Sequence, residues 1–340
     1  MNEKTKIDVK HPRLNDEFFG FKYYEEFFLN LFKKKKLSNA YIFHGIKGIG
    51  KATFAYRLSR CILNNNEELE KDNSLYISKD HNVFKSVAEL YHPDIKVIEP
   101  ENEKNKINLD QIKGLDKITY GTALESEYKI IIIDALDNFT TKNSYSTLLK
   151  LLEDCPRNSI FFLISHSISR IPKTILSRCQ KIYFKPISNE LLRSWFENSK
   201  LIEKKNIDFL INLSNGSLGR ALSIINNNEY FDIYNQMDET IRNGNDITLD
   251  QINKSFSLFN VNLKLDEFVL IIQIVLKNYI KDLLAKKYLK NSSILKVYMS
   301  LFFEINKRIN NFKLYNLDVY QTLNTIKYIF IKHSDDLKKI

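Results

Sequence analysis

The stretch that decides the fold is Gly45-Ile46-Lys47-Gly48-Ile49-Gly50-Lys51-Ala52. It directly follows a short apolar run, Tyr41-Ile42-Phe43, and opens a stretch with a helical pattern. It fits G-x-x-x-x-G-K, in which glycines let backbone N–H groups wrap an anion and the helix N-terminus adds a favourable dipole. The pattern therefore predicts a phosphate-binding loop, with Lys51 reaching the β- and γ-phosphates of a nucleotide and the backbone shaped by Gly45, Gly48 and Gly50.

The last position of the loop departs from the pattern. A Ser or Thr hydroxyl that ligates Mg²⁺ belongs there, and this chain has Ala52. Thr53 comes one residue late, and one residue along a helix turns the side chain by about 100°, so we do not expect it to substitute in place. The loop is expected to cradle phosphate with a weakened metal site.

A second apolar strand, Ile130 to Ile133, ends in Asp134, which is the expected second element of a phosphate-loop site, near the metal. Active ATPases of the AAA+ class carry a Glu after that Asp, and here the position is Ala135. Asp137 is not expected to take over the role. Because Ala52 and Ala135 both fall on catalytic functions, the sequence predicts negligible ATP hydrolysis and leaves open whether a nucleotide occupies the loop.

Strands and helices alternate up to about residue 185, and such alternation predicts a parallel sheet with helices on both faces. The remaining predicted strands are Ile95 to Ile98, Ile160 to Ile164 and Ile182 to Phe184. Beyond Pro186 the pattern is helical. We predict an α/β nucleotide-binding-like domain (1–185), a small helical lid domain (186–245) and an all-helical collar domain that drives assembly (246–340).

The bulk composition favours a globular protein outside the membrane. The 340 residues are 44% hydrophobic with a net charge of +10, and the three cysteines form no CxxC pair. No signal peptide and no apolar run of about 18 residues is evident, so we expect a cytoplasmic protein. A basic patch for nucleic acid is the alternative interpretation of the charge, but Lys and Asn are abundant throughout and the run Lys33 to Lys36 is typical of a solvated helix end.

Further motifs resemble the δ′ subunits of bacterial DNA polymerase III clamp loaders, which are AAA+ proteins. The similarity covers essentially the whole chain, and its most specific piece is Ser177-Arg178-Cys179. The other matching segments are His11 to Asn15, Phe18 to Gly20, Lys36 to Phe43, His92 to Asp94, Asp110 to Ile112, Leu148 to Pro156 and Gly216 to Leu222.

The resemblance implies roles for several residues. Arg178 would act in trans as an arginine finger on ATP bound to a neighbouring motor subunit. Arg220 would be the second-sensor arginine facing this chain's own loop, and Ser165 lies in the first-sensor region. Some relatives carry a four-cysteine zinc module, but here only Cys61 remains, so no zinc and no other metal centre is expected.

The resemblance also implies partners. They are the ATPase motor subunits and the delta subunit in a hetero-oligomeric ring, with the sliding clamp and primed DNA reached through the complex. The chain would then be a structural subunit of a DNA-directed DNA polymerase holoenzyme. Two alternatives stay open: an ATP-hydrolysing AAA+ motor subunit or related remodeller, and an unrelated nucleic-acid-binding module.

Overall fold

A computed structural model describes residues 9–64, 74–100, 106–139, 141–199, 201–259, 264–285, 292–315 and 317–338. Contacts divide the chain into two compact units. The first runs to Ser199 and includes Asn215–Leu222, and the second comprises Lys200–Ser214 and Ser223–Ile340. The phosphate loop and Arg178 both belong to the first unit.

The first unit is built on a parallel five-stranded sheet in the order β2-β3-β4-β1-β5. The strands are β1 (Ala40–His44), β2 (Ile95–Ile98), β3 (Lys129–Ile133), β4 (Ser159–Ser165) and β5 (Gln180–Tyr183). All five predicted strands are therefore confirmed: β2 has the predicted bounds, and the other four differ by one or two residues at their ends. The last strand begins earlier than predicted because the ladder starts at the Tyr41–Gln180 pair.

Pairing in register brings the functional strand ends to one edge of the sheet. His44 pairs with Ser165, and Ile133 pairs with Leu163 on the other side of β4. The loop after β1 and Asp134 after β3 therefore lie at the same carboxyl edge, although 82 residues lie between Lys51 and Asp134 in the sequence. Ligands bind at this edge in open α/β sheets.

The two faces of the sheet bury different side chains. One face is aromatic: Phe43 lies 5.5 Å from both Phe54 and Phe184 between ring centroids, and Phe28 joins them at 5.7 Å. The other face is largely aliphatic and includes Ile42, Ile131, Leu148, Phe161 and Leu163. Because both faces are covered, the strands read as continuous apolar runs.

Helices of the first unit connect and cover the strands. They are α1 (Lys22–Lys33), α2 (Lys51–Leu63), α3 (Asn82–Ala88), α4 (Leu109–Lys113), α5 (Leu115–Tyr120), α6 (Lys142–Glu153), α7 (Lys173–Leu176) and α8 (Asn189–Ser199). The run Lys33 to Lys36 closes α1, with Lys35 in the left-handed conformation at φ 52°, so it is an exposed helix end as predicted.

The second unit is helical in its described residues. Its elements are α9 (Lys204–Ser214), the end of α10 (Leu218–Ile225), α11 (Glu229–Arg242), α12 (Leu249–Ser257), α13 (Leu265–Ala285), α14 (Ser292–Tyr315) and α15 (Val319–Lys338). An apolar stripe on α13 is buried at Phe268, Ile271, Ile272 and Val275. Within the described residues, no helix is both long and apolar enough to cross a bilayer.

Contacts cross the predicted boundary between lid and collar. The Tyr298 hydroxyl donates to the Ile241 carbonyl at 2.9 Å, and Arg242 pairs with Asp282 at 3.0 Å. In addition, residues 186–199 and 215–222 pack with the α/β body. The two compact units have other bounds, and the division into domains 1–185, 186–245 and 246–340 stays a prediction.

Candidate phosphate-binding site and arginine loop

The phosphate loop has the backbone that its glycines predict. Gly45, Gly48 and Gly50 all have positive φ, at 149°, 78° and 106°, where L side chains are strained. At Gly45 a Cβ would also lie 2.5 Å from the Phe184 carbonyl oxygen, and at Gly48 it would lie 2.7 Å from the Ser217 hydroxyl oxygen. Both positions therefore need glycine for conformation and for close approach.

Lys51, the first residue of α2, lies under this loop and is 3% exposed. Its ammonium donates to the carbonyl oxygens of Gly45 at 2.7 Å and Ile46 at 2.8 Å. Burial lowers the pKa of Lys51 to about 8, against the opposing effect of Asp134 and Asp137. The ammonium is therefore bound to its own loop, and burial disfavours its charge. A phosphate that enters the loop would stabilise this charge.

Asp134 follows β3 and lines the same cavity as Lys51. Burial raises the pKa of Asp134 to about 6, and the nearby Glu99 carboxylate adds to the rise. Its buried Oδ1 has no hydrogen-bond partner. A carboxylate oxygen left this way suits a cation, so Asp134 fits the metal side of a nucleotide site.

The two alanines lie where the catalytic groups would stand. Ala52 lines the cavity, with Thr53 beside it on the next position of α2. Ala135 is 6% exposed and adopts φ 58° immediately after Asp134. Asp137 is engaged elsewhere, because its Oδ1 accepts the backbone N–H of His166 at 2.9 Å. These positions supply neither the metal-binding hydroxyl nor the carboxylate that activates water.

His166 is the functional candidate that sequence reasoning missed. It follows β4, lines the cavity, and has a buried Nδ1 without a hydrogen-bond partner. Burial lowers the pKa of His166 to about 4, and Lys51 and Lys47 lower it further while Asp137 opposes them. Ser165, singled out in the sequence, instead accepts the Ser167 N–H at 3.2 Å and so caps the next turn. The one signal in the sequence that could have indicated His166 is its position directly after a predicted strand.

The segment 215–222 lies directly against the phosphate loop. Gly219 N–H donates to the Gly48 carbonyl at 2.9 Å, and the Ser217 hydroxyl donates to the Lys47 carbonyl at 2.9 Å. Leu218, Gly219 and Leu222 line the cavity, whereas the half-buried Arg220 is not among its lining residues. The second-sensor role of Arg220 stays a prediction.

An N-terminal segment closes another side of this cavity of about 380 Å³. Pro12, Phe18 and Phe19 are among its apolar lining. Buried arginines of α2 hold the segment, since Arg60 donates to the Asn15 carbonyl at 2.8 Å and Arg57 pairs with Glu25 and the Asp16 carbonyl. The Phe18-Phe19-Gly20 segment noted in the sequence is thus part of the site wall.

Arg178 lies between α7 and β5 at the edge of the sheet. Its neighbours Ile175 and Cys179 belong to the aliphatic core, so the loop is anchored on both sides. Cys179 is buried, whereas Ser177 is exposed and its hydroxyl donates to the Thr174 carbonyl at 2.9 Å. Arg178 itself is 38% exposed and pairs with Glu153.

Metal-binding clusters are not evident in the part of the chain that the structure describes, where no three His, Cys, Asp or Glu side chains are grouped to hold an ion. Burial raises the pKa of Cys61 to about 12, so this thiol is held in its neutral form. The role of zinc stays untested.

The parallel sheet, the glycine loop leading into α2 and Asp134 at the neighbouring strand end define a P-loop protein. Comparison with known proteins narrows this class. Residues 22–188 match the family model described as DNA polymerase III, delta subunit. This match makes the chain similar to clamp-loader-type subunits of DNA polymerase III over the first half of its length.

Curated relatives include both kinds of clamp-loader subunit. The chain is 30% identical over 242 residues to DNA polymerase III subunit gamma/tau of Mycoplasma genitalium, covering 69% of this chain and 37% of that protein. It is 29% identical over 208 residues to subunit delta′ of Bacillus subtilis, covering 59% of this chain and 58% of that protein. Subunit delta′ of Pseudomonas aeruginosa is 29% identical over 142 residues, 42% of each chain. The matched part of the chain thus spans about two fifths to three fifths of these relatives.

Proposed function

We propose that this chain is a δ′-type subunit of a DNA polymerase III clamp loader that hydrolyses little or no ATP and supplies Arg178 to a neighbouring ATPase subunit. One observation carries the proposal: the phosphate loop keeps its glycine frame and buried Lys51, while alanine stands at both catalytic positions, Ala52 and Ala135. A site that keeps the phosphate-binding loop and lacks the metal-binding hydroxyl and the water-activating carboxylate fits a subunit that does not hydrolyse ATP itself.

The chain's own site fits phosphate better than it fits metal. Gly45, Gly48 and Gly50 give the loop the positive-φ backbone with which N–H groups can wrap an anion, and the Lys51 ammonium is bound to the same loop. Of the two expected protein contacts to Mg²⁺, only Asp134 is present. We infer residual ATP binding without hydrolysis. The phosphates of a bound Mg·ATP would pair with the Lys51 ammonium. Arg220 is the candidate for a further contact to this nucleotide.

Arg178 would act on the next subunit. Hydrolysis there converts ATP and water into ADP and phosphate, and negative charge builds on the transferred phosphoryl group. A planar guanidinium can meet that charge with two parallel N–H donors, and such a finger is worth roughly 10³- to 10⁵-fold in rate. Arg178 fits because it lies at the sheet edge on a loop anchored by Ile175 and Cys179.

The proposal includes partners that the comparisons do not test individually. They are motor subunits, a delta subunit, and the sliding clamp with primed DNA reached through the complex, in the cytoplasm. Because the matched part spans only a fraction of the curated relatives, their assemblies are carried over here as hypotheses.

Two ATPase measurements test the proposal. The isolated chain should show no steady-state turnover above that of its Lys51→Ala variant. In a complex reconstituted with its partner subunits, Arg178→Ala should lower clamp- and DNA-stimulated turnover at least tenfold, and Arg178→Lys should restore it only in part. Arg157→Ala, at another exposed arginine, is the matched control. Unchanged turnover with Arg178→Ala in a confirmed assembly would refute the exported role.

The second candidate is an ATP-hydrolysing motor subunit, and the similarity to subunit gamma/tau favours it. The same isolated-chain assay decides between the two. Turnover that disappears in Lys51→Ala would establish a motor despite Ala52 and Ala135.

A further inference from the structure

The guanidinium of Arg178 is bound within its own chain. Its Nη2 forms an ion pair with Oε1 of Glu153, the last residue of α6. Its Nη1 donates to the Thr174 carbonyl at 3.1 Å and lies 3.4 Å from the Ser177 hydroxyl. In this arrangement the two terminal nitrogens that would grasp a phosphate are occupied by this subunit.

Glu153 presents its carboxylate from a fixed position. The Asn39 amide donates to the carbonyls of Pro156 at 2.7 Å and Ser159 at 2.9 Å, which ties the turn after α6 to the start of β1. Arg178 is equally well placed, because Ile175 and Cys179 on either side are core residues. Their pairing therefore joins the end of α6 to the loop between α7 and β5.

The pair is accessible to a competing anion. The side chains of Arg178 and Glu153 are 38% and 40% exposed. Exposed ion pairs are weak, so exchange of one anion for another costs little. A carboxylate and a phosphate both match the planar fork of a guanidinium, so either can occupy the same donors.

We propose that Glu153 is a positioning residue that holds Arg178 on its own subunit until a phosphate of nucleotide bound by a neighbouring subunit replaces the carboxylate. This inference rests on the proposed function, since it presumes that Arg178 acts in trans. Glu153 would then lower the rate at which the complex hydrolyses ATP before its stimulated state forms, and it would keep the arginine from other anions.

The size of the effect follows from the exposure of the pair. Exposed pairs measured in double-mutant cycles correspond to roughly 1.4- to 5-fold in an equilibrium constant. Glu153→Gln keeps the shape and removes the charge. We expect it to raise kcat of the unstimulated complex by about 1.4- to 5-fold with KM for ATP unchanged, because the pair opposes only the step in which Arg178 reaches phosphate.

The test is a double-mutant cycle in the reconstituted complex, with ATP turnover measured for wild type, Glu153→Gln, Arg178→Ala and the double variant. The rise should vanish in the Arg178→Ala background, since Glu153 acts only through Arg178. Asp154→Asn removes the same charge one residue along and should leave the rate unchanged. Equal melting temperatures of the isolated variants show that the fold is intact.

Each outcome decides between the two proposals. If Arg178→Ala lowers turnover but Glu153→Gln changes nothing, the exported arginine stands and the role of Glu153 is wrong. A rise that persists without Arg178, or that Asp154→Asn reproduces, also overturns it. If Arg178→Ala has no effect on turnover, Arg178 does not act in trans, and the proposed role of Glu153 is then wrong as well.

Discussion

Asp94→Asn is the substitution for which the structure gives the sharpest expectation. Asp94 is 1% exposed, and its carboxylate accepts the backbone N–H groups of Leu124 at 2.7 Å, Glu125 at 2.8 Å and Ser126 at 2.9 Å. It fixes the chain just before β3, which ends at Ile133, directly before Asp134. The His92-Pro93-Asp94 segment noted in the sequence thus serves to place a strand of the site.

The magnitude follows from counting donors. An asparagine oxygen can keep two of the three backbone donors, and its NH₂ group then faces the third. One buried N–H left without an acceptor costs about 1–3 kcal/mol, and two bonds to a neutral rather than a charged acceptor lose about 1 kcal/mol each. The unfolding free energy of the first unit should therefore fall by about 3–5 kcal/mol.

Fluorescence of the single tryptophan, Trp195 in α8, reports on this unit during urea unfolding. Asp110→Asn is the control, because that side chain is 90% exposed and pairs only with Lys113, so it should change stability by less than about 0.5 kcal/mol. A loss below about 1 kcal/mol for Asp94→Asn would refute the donor count.

The pH dependence gives a second check on the same residue. Burial alone would raise the pKa of Asp94, but the hydrogen bonds from Leu124, Glu125 and Ser126 outweigh it and hold the pKa below its ordinary value. A carboxylate with a depressed folded pKa stabilises above the unfolded value of about 3.9 and loses that effect as pH falls through the folded pKa. The difference between wild type and Asp94→Asn should therefore shrink only below about pH 4.

Three further predictions concern the loop and the helix ends. Lys35→Gly should raise stability by up to about 1 kcal/mol in thermal unfolding, because Lys35 is left-handed at φ 52°, whereas Lys34→Gly, at φ −82°, should not. Gly219→Ala should lower the melting temperature, since its Cβ would lie 2.7 Å from the Gly48 carbonyl oxygen, while Gly114→Ala, with open space around it, should leave it equal or higher. Burial lowers the pKa of Lys51 in the folded protein to about 8, so the buried ammonium destabilises the fold at neutral pH. This destabilisation is lost as pH rises from about 8 to the unfolded pKa of 10.5. The unfolding free energies of wild type and Lys51→Met in urea should therefore converge over that pH range. A stability difference that stays constant from pH 7 to 11 would contradict the burial of the Lys51 charge.

The local signals predicted most of the first unit. The run Ile130 to Ile133 is typical of a buried strand in a covered parallel sheet, and the loop glycines permit a backbone that L side chains rarely adopt. Both features could therefore be identified from the sequence. The helix that begins at Lys51 and the turn at Asn215-Gly216 follow from the same local rules, with Gly216 at φ 79°.

Other features depended on contacts between distant parts of the chain. His166 lines the cavity because β4 lies between β3 and β1, and no pattern in its neighbourhood marks it. The sequence also could not predict the hydrogen bond from the His166 N–H to Asp137 or the exposure of Ser177, because both depend on how the chain folds.

What the sequence by itself determined is therefore the chemistry available: a glycine frame with Lys51, an Asp134 at a strand end, alanines in place of two catalytic groups, and Arg178 in a Ser-Arg-Cys motif. Only the tertiary structure decided how these groups are engaged, with Lys51 bound to its own loop and Arg178 bound to Glu153. The physical reason is the distance along the chain over which each interaction acts. Backbone conformation and periodicity are set by near neighbours, whereas burial and ion pairing depend on residues brought together by strand order and packing.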